Sequence, residues 1–406
     1  MKIIPFPALY PLGSLASEVT AVPYDVVDVA EARALADGKP RSFLRVSRPE
    51  IEMPEGTDAH ADGVYARAAE NFARLQREKA LLRDERESLY IYRIVKGDHV
   101  QTGVVGCCQA EEYESGIIKR HEKTRADKET DRTRHILAVR GHTGPVFLTY
   151  ADAPAIDRLV EAVVQEPPLV TAMGEDGSRH SAWRVAESAA LVKAFAAVPV
   201  SYIADGHHRA AAAGRVAWQM RQENSWHKGN EPYNRFLAVL FPATQLKILP
   251  YNRCVKDLNG LTPAQFLEGV RGVFRVTEGA VPNPAGPRQA SMYLGGRWYG
   301  LGWDAPVGAD PVTGLDVSVL QDRLLAPILG IDDPRTNARI EFMGGIRGAA
   351  ALATRVDSGA VAVAFSMYPV TVAEMMAIAD AGQIMPPKST WFEPKLRSGL
   401  FVHLMG

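Results

Sequence analysis

The chain has 406 residues, of which 47% are hydrophobic and 23% are charged. This composition is typical of a soluble globular protein of about two to three domains, and it excludes a disordered tail, a collagen-like repeat and a coiled-coil rod. Lys and Arg together number 46 and Asp and Glu number 47, so the net charge is −1. This balance argues against a globally basic nucleic-acid-binding protein.

The cysteine count and the hydropathy pattern indicate the compartment. Three cysteines without a Cys-x-x-Cys spacing favour neither a disulfide framework nor a structural zinc site. Prolines interrupt the apolar start of the chain, where a signal peptide needs a continuous apolar helix. No window approaches the ~18 apolar residues of a membrane span. We therefore expect a cytoplasmic protein that binds neither membranes nor nucleic acid.

Hydrophobic periodicity predicts both helices and strands in the first part of the chain. The predicted elements are, in chain order, helices over 29–37 and 65–79, a hairpin of 88–95 and 101–110, a strand over 145–150, helices over 155–164 and 182–196, a strand over 198–204, an Ala-rich helix ending near 221, and a strand over 235–241.

We place a domain boundary near 245–260, which divides the chain into residues 1–245 and 246–406. The predicted elements beyond it are a helix over 263–274, a hairpin over 291–303, a helix over 317–329, a strand over 339–343, a helix through 349, a strand over 360–366 and a helix from 371. Strands and helices mix throughout, so the predicted fold class is α/β of mixed α+β character.

The segment Ile203-Ala-Asp-Gly-His-His-Arg209 is the most informative in the sequence. An apolar strand is predicted to enter a glycine turn, and a helix to begin at once. The N-terminus of a helix offers free N–H groups to an anion, and Arg209 can bind phosphate bidentately. Asp205 can hold a metal, act as a base or orient a histidine. The alternative is an ordinary turn in which Asp205 caps the helix.

Residues 119–135 form a dense charge run without a large apolar residue. On a helix, five of its cations would share one narrow face, because they recur at +4, +3, +4 and +3. This cationic stripe consists of His121, Arg125, Lys128, Arg132 and His135. Carboxylates flank it on both sides, which suits a phosphorylated ligand with its metal. The alternative is a solvated helix stabilised by ion pairs.

The segment Lys388-Ser-Thr390 follows two prolines and precedes an aromatic pair. Its ammonium, hydroxyl and backbone donors can hold a phosphate, although the glycines of a P-loop are missing. The alternative is a capped turn without a ligand.

Nearly the whole chain resembles the bacterial domain-of-unknown-function family 1015. The resemblance is carried by several long segments. They are Val22-Pro-Tyr-Asp-Val-Val27, Ile118-Lys-Arg-His-Glu-Lys-Thr-Arg125, Asp131-Arg-Thr-Arg-His135, Thr143-Gly-Pro-Val-Phe-Leu148, Tyr202-Ile-Ala-Asp-Gly-His-His-Arg209 and Lys388-Ser-Thr390.

The Asp205–Arg209 segment is also similar to the signature of free-serine kinases in the ParB/sulfiredoxin-like superfamily. This resemblance implies a ParB/sulfiredoxin-like core with insertions in the first domain, followed by an α+β domain. In those enzymes the loop binds nucleotide phosphates, and a glutamate elsewhere acts as base toward the serine hydroxyl. The implied phosphate-binding residues here are Gly206, His207, His208 and Arg209. The resemblance does not assign the glutamate.

These features predict an ATP- or ADP-dependent kinase that uses Mg²⁺ and phosphorylates a small hydroxylated metabolite, most notably free L-serine. Glu122 or Asp25 is the candidate base, and Asp205 is the candidate catalytic carboxylate and metal ligand. The predicted phosphate contacts beyond the loop are His121, Lys123, Arg125, Arg132, His135, Lys388, Ser389 and Thr390. The alternatives are a regulatory nucleotide-binding protein of the ParB type and a sulfiredoxin-like enzyme that phosphorylates a sulfur acid. A homodimer is compatible with all of them.

Overall fold

The chain forms two compact units in the computed structural model, which describes residues 1–306, 308 and 310–406. The first unit comprises Met1–Leu246 and Pro394–Gly406, and the second comprises Lys247–Glu393. Each unit contains helices and strands, so the predicted mixed α/β class is confirmed. Within the described residues, no helix is both long and apolar enough to cross a membrane.

The first unit contains the longest helices and a large sheet. Its helices are α1 (Ala16–Val19), α2 (Val29–Ala36), α3 (Leu44–Ser47), α4 (Asp62–Arg77), α5 (Ala110–Glu114), α6 (Ala126–Val139), α7 (Pro154–Val163), α8 (Ala189–Ala196) and α9 (His207–Glu223). Its strands up to residue 246 are β1 (Leu9–Pro11), β2 (Leu81–Arg83), β3 (Tyr90–Lys96), β4 (His99–Gln109), β5 (Ile118–Lys119), β6 (Gly141–His142), β7 (Val146–Tyr150), β8 (Val170–Met173), β9 (Arg179–Arg184), β10 (Ser201–Asp205) and β11 (Arg235–Pro242).

Eight of these strands form one mixed sheet in the order β5-β10-β7-β11-β4-β3-β9-β8. β10 runs parallel to β5 and antiparallel to β7. Ile203 on β10 and Leu240 on β11 are completely buried, as expected for strands of a covered sheet. The core therefore covers β10 as far as Ala204, and the pairing of β10 with β7 shifts register between Ile203 and Asp205.

The second unit is built on an antiparallel sheet. Its helices are α10 (Pro263–Val273), α11 (Asp316–Leu320), α12 (Gly348–Asp357) and α13 (Val372–Asp380). Its strands are β12 (Lys247–Leu249), β13 (Tyr251–Val255), β14 (Arg275–Glu278), β15 (Gln289–Leu294), β16 (Arg297–Gly302), β17 (Ile340–Gly344), β18 (Val363–Met367) and β19 (Trp391–Glu393). Six of them pair in the order β14-β16-β15-β18-β13-β17. The last strand of the chain, β20 (His403–Leu404), belongs to the first unit and pairs there with β6.

Two predicted helices differ from the structure. The helix predicted over 119–135 begins only at Ala126, because the backbone of Arg125 is extended, with φ −100° and ψ 133°. The helix predicted over 182–196 is wrong at its start, since Trp183 pairs with Ile91 in the sheet. Long-range strand pairing there overrides the local apolar pattern. The predicted β3–β4 hairpin is confirmed.

Small side chains fix the position of α9. Ala210 and Ala213 belong to the same buried cluster as Ile203 of the sheet. Ala212, on another side of the helix, packs in a cluster with Ile136 of α6. The alanine run thus lets α9 lie close to both the sheet and α6, which places the start of α9 beside the residues that precede α6.

Candidate functional site

The predicted strand–turn–helix elbow is confirmed where β10 meets α9. β10 ends at Asp205, Gly206 has φ +96° and ψ 31°, and α9 begins at His207. A Cβ atom at Gly206 would lie 3.0 Å from the guanidinium carbon of Arg209, so glycine is needed for both conformation and space. Within the described chain no side chain caps α9, which leaves its first N–H groups to water or a ligand.

Two cations hold the Asp205 carboxylate. Arg209 Nη2 donates to Asp205 Oδ2 at 2.6 Å, and Lys395 Nζ donates to Oδ1 at 3.2 Å. Arg209 Nη1 also donates to the carbonyl oxygen of Pro145. The side chains of Arg209 and Lys395 are only 10% and 15% exposed. Two nitrogens of Arg209 therefore fix the elbow, while its Nε is buried without a hydrogen-bond partner in the described chain. The bidentate contact of Arg209 with phosphate stays a prediction.

The charges of this group reinforce one another. Burial raises the pKa of the Asp205 carboxyl, but Lys395 and Arg209 outweigh burial and hold that pKa well below its ordinary value. Burial lowers the pKa of Arg209. The negative charge of Asp205 outweighs burial, with smaller contributions from Asp25 and Tyr24, so the pKa of Arg209 is raised. Asp205 and Arg209 consequently stay ionised at neutral pH.

Two buried histidines lie beside the elbow. The ring centroids of His121 and His207 are 4.5 Å apart, and the rings are nearly perpendicular at 83°. Burial lowers the pKa of His121 to about 4 and that of His207 well below its usual range, so both are neutral at pH 7. In the described part of the chain, His121 Nδ1 and His207 Nε2 are buried without a hydrogen-bond partner. Such unpaired buried atoms are rare and point to a missing partner.

A carboxylate and a third histidine complete this side of the elbow. Glu122 Oε2 lies 3.4 Å from His207 Nδ1, and the Glu122 side chain is half-exposed. The backbone N–H of Arg125 donates to His208 Nε2 at 3.2 Å. Burial lowers the pKa of His208, while Asp25 raises it, which places Asp25 near the same ring. Glu122 and Asp25 thus both lie near the start of α9, as do Glu129 and Asp127, which also raise the pKa of His208.

A small cavity of about 30 Å³ lies beside Arg209. Its lining includes Tyr24, Arg132 and His135. The guanidinium of Arg132 lies 4.0 Å from the centroid of the Tyr24 ring and pairs with Asp131 at 2.7 Å. One water needs roughly 10–15 Å³, so the cavity has room for about two waters, and a larger ligand must extend over the open surface.

The cationic stripe is wrong as a single helical face. Because α6 begins at Ala126, His121 and Arg125 precede the helix. His135 is a buried residue whose Nε2 donates to the carbonyl oxygen of Val46 at 2.8 Å, and burial lowers its pKa to about 4. The structure still brings His121 and Arg125 to the elbow, because the extended segment before α6 lies against the start of α9.

Four further predicted phosphate contacts are Lys123, Lys388, Ser389 and Thr390. Lys123 has an exposed side chain in the first unit. Lys388, Ser389 and Thr390 belong to the second unit. Ser389 is buried there, and its hydroxyl donates to the carbonyl oxygen of Pro386 at 2.7 Å. A phosphate contact from these four residues stays a prediction.

Sequence reasoning missed Lys395 altogether. Its ammonium reaches Asp205 across 190 positions of the chain, and no local spacing indicates such a contact. It also missed that Tyr24 lines the cavity and that the carbonyl oxygen of Pro145 accepts a hydrogen bond from Arg209. Both residues stand inside segments that carry the family resemblance, which was the available signal.

The metal role of Asp205 stays a prediction. Both carboxylate oxygens already accept hydrogen bonds from cations. Among the residues that the structure describes, no three or more His, Cys, Asp or Glu side chains are grouped to hold a metal ion.

Solved structures similar to the chain include three of low sequence identity. A free serine kinase in complex with AMP is 13% identical with a TM-score of 0.36, and the match covers 71% of this chain and 86% of that one. A conserved hypothetical protein from Pyrococcus furiosus is 13% identical with a TM-score of 0.35, covering 72% and 93%. A C-terminally truncated SbnI from Staphylococcus aureus is 11% identical with a TM-score of 0.37, covering 72% and 85%. No curated protein matches the chain.

The family comparison covers most of the chain, including the elbow and the residues around it. The model of the family described as "Protein of unknown function (DUF1015)" matches residues 3–318. This range contains Asp25, the charge run and the Asp205–Arg209 segment, and it confirms the resemblance over residues 3–318. The Lys388-Ser-Thr390 segment lies outside the matched range. The chain belongs to the DUF1015 family.

Proposed function

We propose that this protein binds the phosphates of a purine nucleotide at the start of α9 and transfers a phosphoryl group to the hydroxyl of a small metabolite, with free L-serine as the first candidate. One observation carries the proposal. The uncapped start of α9 lies beside His121 and His207, each of which has a buried ring nitrogen without a partner in the described chain. A phosphate oxygen accepts hydrogen bonds from both kinds of donor.

The donors available to a phosphate come from two segments. The first N–H groups of α9 point out of the helix, where the helix dipole favours an anion. The guanidinium of Arg125 is exposed, and among the described residues its ion pair is with the exposed Asp127, at 2.9 Å, so it can turn to a phosphate at little cost. Asp205, Arg209 and Lys395 act as positioning residues in this scheme, because their ion pairs keep the elbow in shape.

Glu122 is the base in the proposed reaction. The acceptor hydroxyl oxygen attacks the terminal phosphorus of the nucleotide, and the bond from that phosphorus to the bridging oxygen breaks. The bridging oxygen leaves with the electron pair on ADP or AMP, and the hydroxyl proton passes to Glu122. Glu122 suits this role because it is half-exposed and lies 3.4 Å from His207, at the phosphate end of the site. Asp25, also exposed, is the second candidate.

No step of this scheme is assigned to a metal ion. Mg²⁺ commonly binds nucleotide phosphates with one or two carboxylates, but both oxygens of Asp205 are engaged by Arg209 and Lys395. The proposal places the protein in the cytoplasm, where ATP and ADP are available, and its oligomeric state is a separate measurement.

Calorimetry followed by phosphorus NMR tests the proposal. We expect ATP, ADP or AMP to bind the full chain, and a mixture of nucleotide, Mg²⁺ and L-serine to yield a phosphorylated amino acid. Glu122→Gln should lower turnover by roughly 100-fold or more while sparing nucleotide affinity. Glu223→Gln, the same change at the far end of α9, is the matched control and should leave both unchanged.

Two outcomes decide against the kinase. The absence of affinity for all three nucleotides would remove nucleotide binding and phosphoryl transfer together. Nucleotide binding without turnover of any hydroxy amino acid would instead favour the regulatory nucleotide-binding protein. Equal turnover in Glu122→Gln and the wild type would move the role of base to Asp25.

A further inference from the structure

The second unit contains a buried arginine without an acidic partner. Arg253 stands in the middle of β13 and is only 3% exposed. It pairs in the sheet with Phe342 on one side and Phe365 on the other. Its Nη1 donates to the carbonyl oxygen of Tyr251, and its guanidinium lies 5.4 Å from the centroid of the Phe342 ring. Among the described residues, no carboxylate forms an ion pair with it.

A buried charge without a counter-charge is costly. Moving a guanidinium out of water costs several kcal/mol unless an anion compensates it. Burial lowers the pKa of Arg253 to about 9, and no neighbouring charge opposes this effect. One carbonyl oxygen and the face of one ring satisfy only part of the five donors of a guanidinium. The side chain is therefore equipped for an anion that the chain itself does not supply.

A second cation, Lys388, lies close to Tyr251. The ammonium of Lys388 lies 5.4 Å from the centroid of the Tyr251 ring. Tyr251 and Arg253 are two positions apart on one strand, so their side chains share one face of the sheet. Lys388 has φ +53°, a left-handed conformation that is uncommon outside glycine and that the surrounding structure must hold. The neighbouring Ser389 is buried and bonded to Pro386, which fixes this turn.

A second aromatic side chain, Trp391, packs against Tyr251. Trp391 contacts Tyr251 with ring centroids 5.4 Å apart. It also covers Gly344, where a Cβ atom would lie 2.6 Å from the indole ring. The glycine thus makes room for Trp391, which packs against the Tyr251 ring that Lys388 also approaches.

We propose that Arg253 and Lys388 bind a small oxyanion, the phosphate or carboxylate group of a ligand, next to the rings of Tyr251 and Phe342. The guanidinium supplies a planar fork for two oxygens, and the exposed ammonium supplies a mobile second charge at the rim. This site belongs to the second unit and does not depend on the phosphoryl transfer proposed for the first.

Titration of the full chain with inorganic phosphate and with malonate, at constant ionic strength, tests this site. We expect at least one of the two anions to bind. Lys388→Gln should weaken that binding roughly 10-fold or more, because a charge-assisted contact is lost. Lys388 is exposed, so the variant keeps the fold. Lys256→Gln, at the exposed lysine that directly follows β13, is the control and should bind like the wild type.

Further variants separate this site from the elbow. Arg253→Lys keeps the charge but removes the fork, and it should also weaken binding; if it fails to fold, Lys388→Gln alone decides. Preference for phosphate or for malonate identifies the ligand group. The inference is overturned if neither anion binds at millimolar concentration, if Lys388→Gln binds like the wild type, or if Arg125→Gln in the first unit abolishes the binding while Lys388→Gln does not.

Discussion

In the first unit the buried Arg209 lies beside Asp205, which also accepts a hydrogen bond from Lys395, whereas in the second unit the buried Arg253 lies on an aromatic ring without a carboxylate. The first arrangement is electrically complete and needs no ligand to be stable. The second leaves a charge uncompensated within the described chain. Burial alone therefore does not mark an arginine as a ligand-binding residue; the presence or absence of its counter-charge does.

The units also differ in histidine content. All ten histidines of the chain stand in the first unit and none in the second. Several of them are buried and neutral, with pKa values lowered by burial. These values are about 4 for His121, His135 and His403, and about 3 for His142 and His180. The first unit therefore combines permanent ion pairs with titratable groups that must stay uncharged.

Acidification should lower the stability of the first unit more than that of the second, and this is the largest effect we expect. In the unfolded chain these histidines become protonated below their ordinary pKa of 6.5, whereas in the folded chain His121, for example, stays neutral until about pH 4. The unfolded state therefore binds more protons, and the free energy of unfolding falls as the pH falls. At pH 5 each such group costs about 2 kcal/mol, and five together approach the stability of a whole domain, about 5–15 kcal/mol. Loss of stability begins near pH 6.5 and grows toward pH 4.

Hydrogen exchange read by mass spectrometry at pH 7 and pH 5 checks this. Peptides of the first unit should lose protection at pH 5 after correction for intrinsic rates, while peptides of the second unit keep theirs. Equal loss in both units, or full protection of the first unit at pH 4.5, would contradict the assignment of neutral buried histidines.

Removing the counter-charge of the elbow should have the next largest effect. Asp205→Asn removes the carboxylate that Arg209 and Lys395 share, which should lower the free energy of unfolding of the first unit by about 3 kcal/mol or more. Urea titration measures it. The control is Asp304→Asn, which breaks the exposed ion pair with Arg275 at 3.0 Å and should leave stability unchanged. Equal effects of the two variants would show that the Asp205 pairs contribute no more than surface pairs.

Gly206→Ala should cost about 1–2 kcal/mol, because alanine disfavours φ +96° and its Cβ would crowd Arg209. Gly229→Ala is the matched control: this glycine has φ +91° but nothing within 4 Å of an added Cβ. The difference between the two variants in urea titrations isolates the contact with Arg209. If both cost the same, the close approach at Gly206 contributes nothing, and only its backbone conformation counts.

Arg253→Met should act in the opposite direction from Asp205→Asn. Replacing an uncompensated buried charge with an apolar side chain of similar length should raise the free energy of unfolding of the second unit by about 1 kcal/mol. Thermal unfolding with and without phosphate measures it, and the anion should stabilise the wild type but not the variant. A loss of several kcal/mol in Arg253→Met would mean that Phe342 and the Tyr251 carbonyl already satisfy the guanidinium.

Local chemistry made the elbow predictable, and long-range contacts made its neighbours unpredictable. An apolar strand, a glycine and an alanine run specify β10, the turn and α9 within one stretch of sequence. The cationic stripe failed because periodicity assumes a continuous helix, and the extended backbone at Arg125 breaks it. Lys395 and the neutral state of His207 depend on packing between distant segments, which spacing does not encode.

Arg125→Gln should have the smallest effect on stability and a clear one on binding. Arg125 is exposed, and in the part of the chain that the structure describes it forms an ion pair with the exposed Asp127 two positions away, so the free energy of unfolding should stay within error of the wild type. Its backbone N–H still donates to His208 in the variant, which preserves the segment before α6. If the guanidinium contacts a nucleotide phosphate, affinity for ADP should fall about 10-fold at low salt, and the salt dependence of binding should become weaker. Lys193→Gln, at an exposed lysine of α8 that is not a predicted phosphate contact, measures the general effect of one lost charge. Calorimetry at two salt concentrations compares the three proteins. A loss of ADP affinity confined to Arg125→Gln locates the phosphate at the elbow. Equal affinities in all three would show that the Arg125 guanidinium does not contact the phosphate, which would then be bound by the α9 N–H groups and the histidines alone.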